Sequence, residues 1–220
     1  MRKLHESPIL FCLLRICVFA TMLAGIWYLM LLDSLSDRSD EKFGEKSYTE
    51  YLQQTFLFLS SIIFLVVAQH DRKVRGFAIA ACGFCLMLLV REFNNFFHTI
   101  FIGAWQVLVA LIAGATAYFV YQNNETFLKP ARKFLRTPAF GFVLSGMLIV
   151  MIFSRLYGLH YLWYNLMGET FTDSHRWVKN ASEEGIELLG YTIFFFGTVE
   201  YLVQRNKKWL TLSAEKISQP

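Results

Sequence analysis

Residues 9–32 read ILFCLLRICVFATMLAGIWYLMLL, an apolar run broken by one charge, Arg15. A helix of this length is about 36 Å long, and a hydrocarbon layer about 30 Å thick needs roughly 20 such residues. The run predicts a membrane-spanning helix. Arg15 is expected to snorkel back to the headgroups if the deep part of the span starts near Cys17. Met1 to Tyr28 has the charged start and apolar stretch of a signal peptide, but the run continues to Leu32 without a small-residue cleavage site, so it reads as a retained anchor.

Outward from this run, comparable segments lie at about 51–69, 76–96, 100–121, 140–159 and 184–204. The chain has 220 residues, 55% hydrophobic and 17% charged, with a mean hydropathy of +0.39. A soluble domain cannot hide that much apolar surface. Six spans with short connections use nearly all of this length. The expected fold is therefore all-α, a polytopic membrane helix bundle of about six transmembrane helices, with residues 1–220 forming a single integral membrane domain. Residues 34–50 form an acidic loop, and Pro130 and Pro138 separate the fourth and fifth spans. The stretch from His160 to Ser182, rich in Tyr and Trp, is expected at the interface, with room for a short surface helix.

Orientation comes from the cations. Arg2, Lys3, Arg15, Arg72, Lys73, Arg75, Lys129, Arg132, Lys133, Arg136, Arg205, Lys207, Lys208 and Lys216 fall on one side of the alternation, two thirds of the 21 basic residues. Positive charge is retained on the cytoplasmic side, which places both termini there, in a bacterial inner membrane or a plasma membrane. Five or seven spans break the alternation. The net charge of +4 is scattered in short loops and forms no stripe for nucleic acid. Cys12, Cys17, Cys82 and Cys85 lie within apolar runs, so Cys82-Gly-Phe-Cys85 reads as buried small hydrophobes and not as a redox pair. Gly141 and Gly146 read as sites of close helix packing, and Glu200 as a carboxylate near enough to Arg205 to pair.

Ionisable groups within spans are costly, so each is a functional candidate. Most of them gather toward the external end. Span three ends in Arg91-Glu92-Phe-Asn94-Asn95-Phe-Phe-His98, with Arg91, Asn94 or Asn95, and His98 expected along one helical face. Span five brings Arg155 and His160, and span six brings Glu183, Glu184, Glu187 and, one turn on, Tyr191.

Three readings compete for this cluster. In the first, Arg91, Glu92, Asn95, His98, Arg155, His160, Glu184, Glu187 and Tyr191 form a polar pocket that binds a small ion, metal or lipid headgroup, with a role in transport. In the second, Glu92, His98, His160 and Glu187 hold a divalent metal such as zinc, which activates water in a membrane-embedded hydrolase or transferase. No His-Glu-x-x-His or Glu-x-x-His spacing accompanies that set. In the third, Arg91 and Arg155 neutralise Glu92 and Glu187 to lock helices together, as in a structural partner subunit or an oligomer. On that reading Glu183, Glu184 and Glu187 occupy the first turn of span six, capped by Asn180 or Ser182. Beyond the lipid bilayer, the expected partner is thus a small ion or lipid ligand, or another subunit.

Overall fold

The computed structural model describes residues 8–35, 43, 47–168 and 173–217, with side chains for all of these except 8, 11, 173–175 and 207–217. These residues form helices α1 (Pro8–Leu35), α2 (Tyr48–His70), α3 (Arg75–Glu92), α4 (Asn94–His98), α5 (Ala104–Gln122) and α6 (Leu128–Phe134). Then come α7 (Pro138–Leu148), a π-helical turn (Ile149–Phe153), α8 (Ser154–Tyr157), α9 (His160–Met167) and α10 (Asp173–Ile217). Among the described residues there is no strand. Six stretches are long and apolar enough to cross a membrane: Cys12–Leu35, Tyr48–His70, Arg72–Glu92, Ala104–Gln122, Pro138–Tyr157 and Arg176–Asn206.

α10 is the axis of the bundle, with α7 on one side and α2 on another, while α3 lies between α2 and α5. Leu57, Val67, Ala78, Cys85, Val150, Leu188 and Phe194 fill the shared core. The α7–α10 contact is close because it is built on glycine. A Cβ on Gly146 would come within 2.5 Å of the Gly190 carbonyl oxygen and 2.6 Å of Phe194 N, whereas Gly141 faces open space. Only one of the two glycines expected to permit close packing therefore does so. The outer helices are apolar and exposed, with Leu111 65% and Tyr121 76% accessible on α5 and Ile9 70% on α1. Such surface would associate in water but is ordinary against lipid tails.

The ends of the helices are tied by side chains. Asp33, near the end of α1, accepts from the amides of Tyr48 and Thr49 at 2.8 Å each and from the Thr49 hydroxyl at 2.6 Å. Together with the Ser47 cap on Glu50 N, this satisfies donors that a helix N-terminus otherwise leaves open. At the opposite end Arg205 pairs with Asp71, and Gly76 N donates to Thr126 Oγ1 at 2.9 Å. The turns around 70–75 and 123–126 therefore meet, which brings Arg72, Lys73, Arg75 and Arg205 to one end, while Lys129, Arg132, Lys133 and Arg136 line a groove next to Thr137. Residues 1–7 and 218–220 lie outside the described residues, and no side chain is described at Lys207, Lys208 or Lys216.

Two expectations about charged residues change. Arg15 does not reach outward alone: its guanidinium is 2.5 Å from Glu200 Oε2 on α10. Glu200 consequently pairs with Arg15, and with the Gln204 amide at 2.9 Å, while Arg205 is turned toward Asp71. A buried carboxylate facing a neighbouring helix is better satisfied by a cation on that helix at the same level than by one on its own helix turned the other way.

Candidate functional site

At the end of the bundle that carries Glu92, helices α2, α3, α8 and α10 leave a polar cavity of about 290 Å³. Its walls include Glu50 and Gln53 from α2, Arg91 and Glu92 from α3, Asn94 and Asn95 from α4, Arg155 from α8, and Glu184 and Glu187 from α10, with Phe43 at the margin. Among the described residues, four carboxylates thus share the space with two guanidinium groups.

Each wall is placed by a local feature. α3 stops at Glu92 because Phe93 leaves the helical region, with φ −89° and ψ 17°. The break keeps Arg91, Asn94 and Asn95 at the cavity and turns His98 away, so the single face expected from 91 to 98 is divided. The π turn before Ser154 carries one extra residue, which rotates α8 by about 100° relative to a continuous α-helix. Ser154 then lies against α10, its hydroxyl 2.7 Å from Val150 O and 3.1 Å from Glu187 Oε1. Arg155 Nη2 is 2.6 Å from Glu187 Oε1, and its Nη1 is 3.4 Å from Glu183 Oε1. Lys179 completes the chain of charges, 3.0 Å from Glu183 and donating to Gly158 O at 3.0 Å.

α10 begins at Asp173, so Glu183, Glu184 and Glu187 lie about three or four turns inside it and not in its first turn. The helix dipole acts within the first turn and does not stabilise these acids. Asn180 and Ser182 are likewise interior; the Ser182 hydroxyl donates to Val178 O at 2.8 Å and caps nothing. The stretch expected as one connection from 160 to 182 contains α9 and the first turns of α10, and α9 is held by Trp163, whose Nε1 donates to Tyr157 O at 2.8 Å.

The carboxylates differ in what holds them. Glu187 is 2% accessible and paired with Arg155. Glu92 Oε1 accepts from the Tyr191 hydroxyl at 2.6 Å, while Arg91 Nη1 stands 4.0 Å off, a loose contact. Glu184 Oε2 accepts from the Gln53 amide at 3.1 Å and has no cation in pairing range among the described residues. Gln53 is fully buried, and its Oε1 meets no hydrogen-bond donor among the described residues. An amide oxygen held out of water without a donor is a costly arrangement that a bound donor relieves.

Of the nine residues expected from the sequence, Arg91, Glu92, Asn95, Arg155, Glu184 and Glu187 line the cavity and Tyr191 lies directly beneath it, bonded to Glu92. His98 and His160 stand apart. Both are exposed; the Gly103 amide lies 3.4 Å from His98 Nδ1, and His160 stacks on Tyr164 with ring centroids 6.1 Å apart. Among the described residues no three His, Cys, Asp or Glu side chains are grouped as a metal ion requires, so the four expected ligands Glu92, His98, His160 and Glu187 are not brought together. Glu50, Gln53 and Ser154 join the site beyond the residues that sequence reasoning singles out. Glu50, Gln53 and Gln54 recur at helical spacing at the head of an apolar span, which is the signal that could have found the first two.

Below Tyr191 the interior is filled. Tyr191 is 1% accessible, and Leu57, Leu188 and Phe194 beyond it are 0–2% accessible. The cavity is closed on the side that leads to Glu200. Comparison with protein families, with curated proteins and with solved structures finds no match for this chain.

Proposed function

We propose that this chain is an integral membrane protein that binds a small organic cation, such as an amine-bearing solute or headgroup, in the polar cavity at the Glu92 end. The observation that carries the reading is that Glu184 faces the cavity with the Gln53 amide as its side-chain partner and no cation in pairing range among the described residues, beside a buried Gln53 oxygen that meets no donor among them. Buried like charges repel strongly unless a counter-charge joins them. An ammonium group supplies that charge together with N–H donors for Glu184 and for the Gln53 oxygen. The scattered histidines disfavour a metal, and the packed layer below Tyr191 favours a binding site over an open conduction path. We read the cation-rich end as cytoplasmic and the cavity as opening to the opposite face of a bacterial inner membrane or plasma membrane.

The test is a thermal-unfolding titration of the purified protein with ethylammonium, with ethanol as the neutral counterpart. A ligand that binds only the folded state raises Tm as its concentration passes Kd. We expect a saturable rise with ethylammonium, none with ethanol, and loss of the rise in Glu184→Gln. Equal responses to both probes would refute the reading, and a saturable response to zinc alone would return it to a metal.

A second reading draws on the Arg155–Glu187 and Arg155–Glu183 contacts. Here the charges serve to lock α8 to α10 in a structural subunit. The two readings differ at Glu184, which makes no ion pair among the described residues.

A further inference from the structure

The polar cavity does not end in water on every side. Beside it runs a second hollow of about 650 Å³, more than twice its volume, with walls that are mostly apolar: Tyr51 from α2 and Phe93, Phe96 and Phe97 at the α3–α4 break. The two hollows share Glu50, Glu92 and Asn95. Phe96 is 62% accessible and Tyr51 51% accessible, so aromatic side chains line an open groove that leads directly to the acidic cavity. A space with carboxylates at one end and aromatic rings along the other matches the two ends of an amphiphile. Its position, at the first turns of α2 and the last turn of α3, is the level at which apolar spans end and headgroups begin.

We infer that the ligand is a lipid of the bilayer itself with an amine head, its ammonium held between Glu184 and Glu92 and one acyl chain lying in the groove formed by Tyr51, Phe93, Phe96 and Phe97. The inference rests on the amine-binding reading of the cavity and adds the ligand class. The lipid enters sideways from the membrane, since the groove is open along the flank of α2 and α4. A methylated head is discriminated against: a choline group has the charge but no N–H to give to Glu184 or Gln53. The break at Phe93 then has a purpose in binding, because it is what swings the phenylalanines clear of α3 to make the groove.

The experiment uses the full chain in nanodiscs. Phosphatidylethanolamine carrying a diazirine on one acyl chain is photolysed in place, and the labelled residues are mapped by mass spectrometry; phosphatidylcholine with the same chain serves as the second arm. Label on the exposed residues of α5, such as Leu111 and Tyr118, reports bulk lipid contact. We expect the ethanolamine lipid to exceed the choline lipid at Tyr51, Phe96 and Phe97 by about tenfold relative to α5, an enrichment of the size that one charge-assisted hydrogen bond sustains. Glu184→Gln and Phe96→Ser should each bring the ratio toward one. Equal labelling by the two lipids overturns the inference. If ethylammonium still stabilises the protein through Glu184 in that case, the cavity reading stands and only the lipid is wrong; if it does not, both fall. Preferential labelling that survives Glu184→Gln also overturns the inference, because the head would then be read elsewhere.

Discussion

The hydroxyl of Tyr191 on α10 donates to Glu92 Oε1 on α3 across 2.6 Å, with the phenol ring 1% accessible. This bond forms the floor of the cavity and ties together two helices that are 99 residues apart at these positions. Tyr191→Phe keeps the ring and removes the donor. A hydrogen bond to a charged acceptor contributes about 1.5–3 kcal/mol, so we expect a loss within that range, read as a lower Tm in detergent. The accompanying change should be local: circular dichroism should show the same helix content. An unchanged Tm would mean that Glu92 has a replacement donor, and the floor would not depend on Tyr191.

Arg155 and Glu187 provide a measurement of coupling. Glu187 is 2% accessible, while the Arg155 side chain is 45% accessible, so the pair is buried on one side only. Arg155→Ala leaves a buried carboxylate without its cation, which we expect to cost about 2 kcal/mol, discounted from the fully buried case because water reaches the guanidinium. Glu187→Gln should cost less, because the amide keeps an acceptor for Ser154. The double variant should be more stable than the sum of the single losses implies, and a double-mutant cycle by thermal unfolding reads that difference. Strict additivity would argue against the structural-subunit reading, in which this pair locks the helices.

Gly146 and Gly141 lie five residues apart on α7 and are expected to behave oppositely. A side chain at Gly146 meets the α10 backbone at 2.5–2.6 Å, and one at Gly141 meets nothing within 4 Å. Gly146→Leu should abolish the yield of monodisperse protein, because backbone cannot move aside as a flexible side chain can. Gly141→Leu should be recovered at the parental level. Size-exclusion profiles after extraction separate the two.

The six helices long and apolar enough to cross a membrane were legible because each is a continuous apolar run, a signal that needs no partner to be read. Most of the candidate cavity lining was legible for the same reason, since Arg91, Glu92 and Glu187 stand out against such a background. What could not be read is what depends on a second element. Glu50 reads as the last residue of an acidic loop until Asp33 and Ser47 start α2 ahead of it. The length of α10 was hidden by the polar composition of 173–183, which has no apolar run yet continues a helix already in place. The break at Phe93 and the π turn at 149–153 have no residue signature at all, being answers to packing. The cross-helix choice of Arg15 for Glu200 depends on which helices become neighbours.

The cation-rich end supplies a test of orientation. Single cysteines introduced at Lys73 and at Asn165, in a background without the four native cysteines, mark the α2–α3 turn and α9 on opposite ends of the bundle. In intact cells a membrane-impermeant maleimide should label position 165 and leave position 73 unlabelled until the membrane is opened, as the distribution of lysine and arginine requires. The reverse pattern would place the acidic cavity on the cytoplasmic face.

Gln53 allows the stability of the bundle to be separated from its ligand. Its side chain is fully buried, its amide nitrogen serves Glu184 at 3.1 Å, and its oxygen meets no donor among the described residues. Gln53→Leu removes an acceptor that is costly when empty and a donor that Glu184 uses, two changes of opposite sign, so the net effect on unfolding should stay within about 1 kcal/mol. Binding should respond differently. If an ammonium fills the cavity, the Gln53 oxygen is one of its acceptors, and replacing it by a methyl group should weaken the ethylammonium response by about tenfold, one charge-assisted hydrogen bond. A protein that folds as well as its parent and has lost the response identifies Gln53 as a ligand-facing group. A protein that loses stability and keeps the response makes Gln53 a strut between α2 and α10, and the donor the cavity lacks would have to be water.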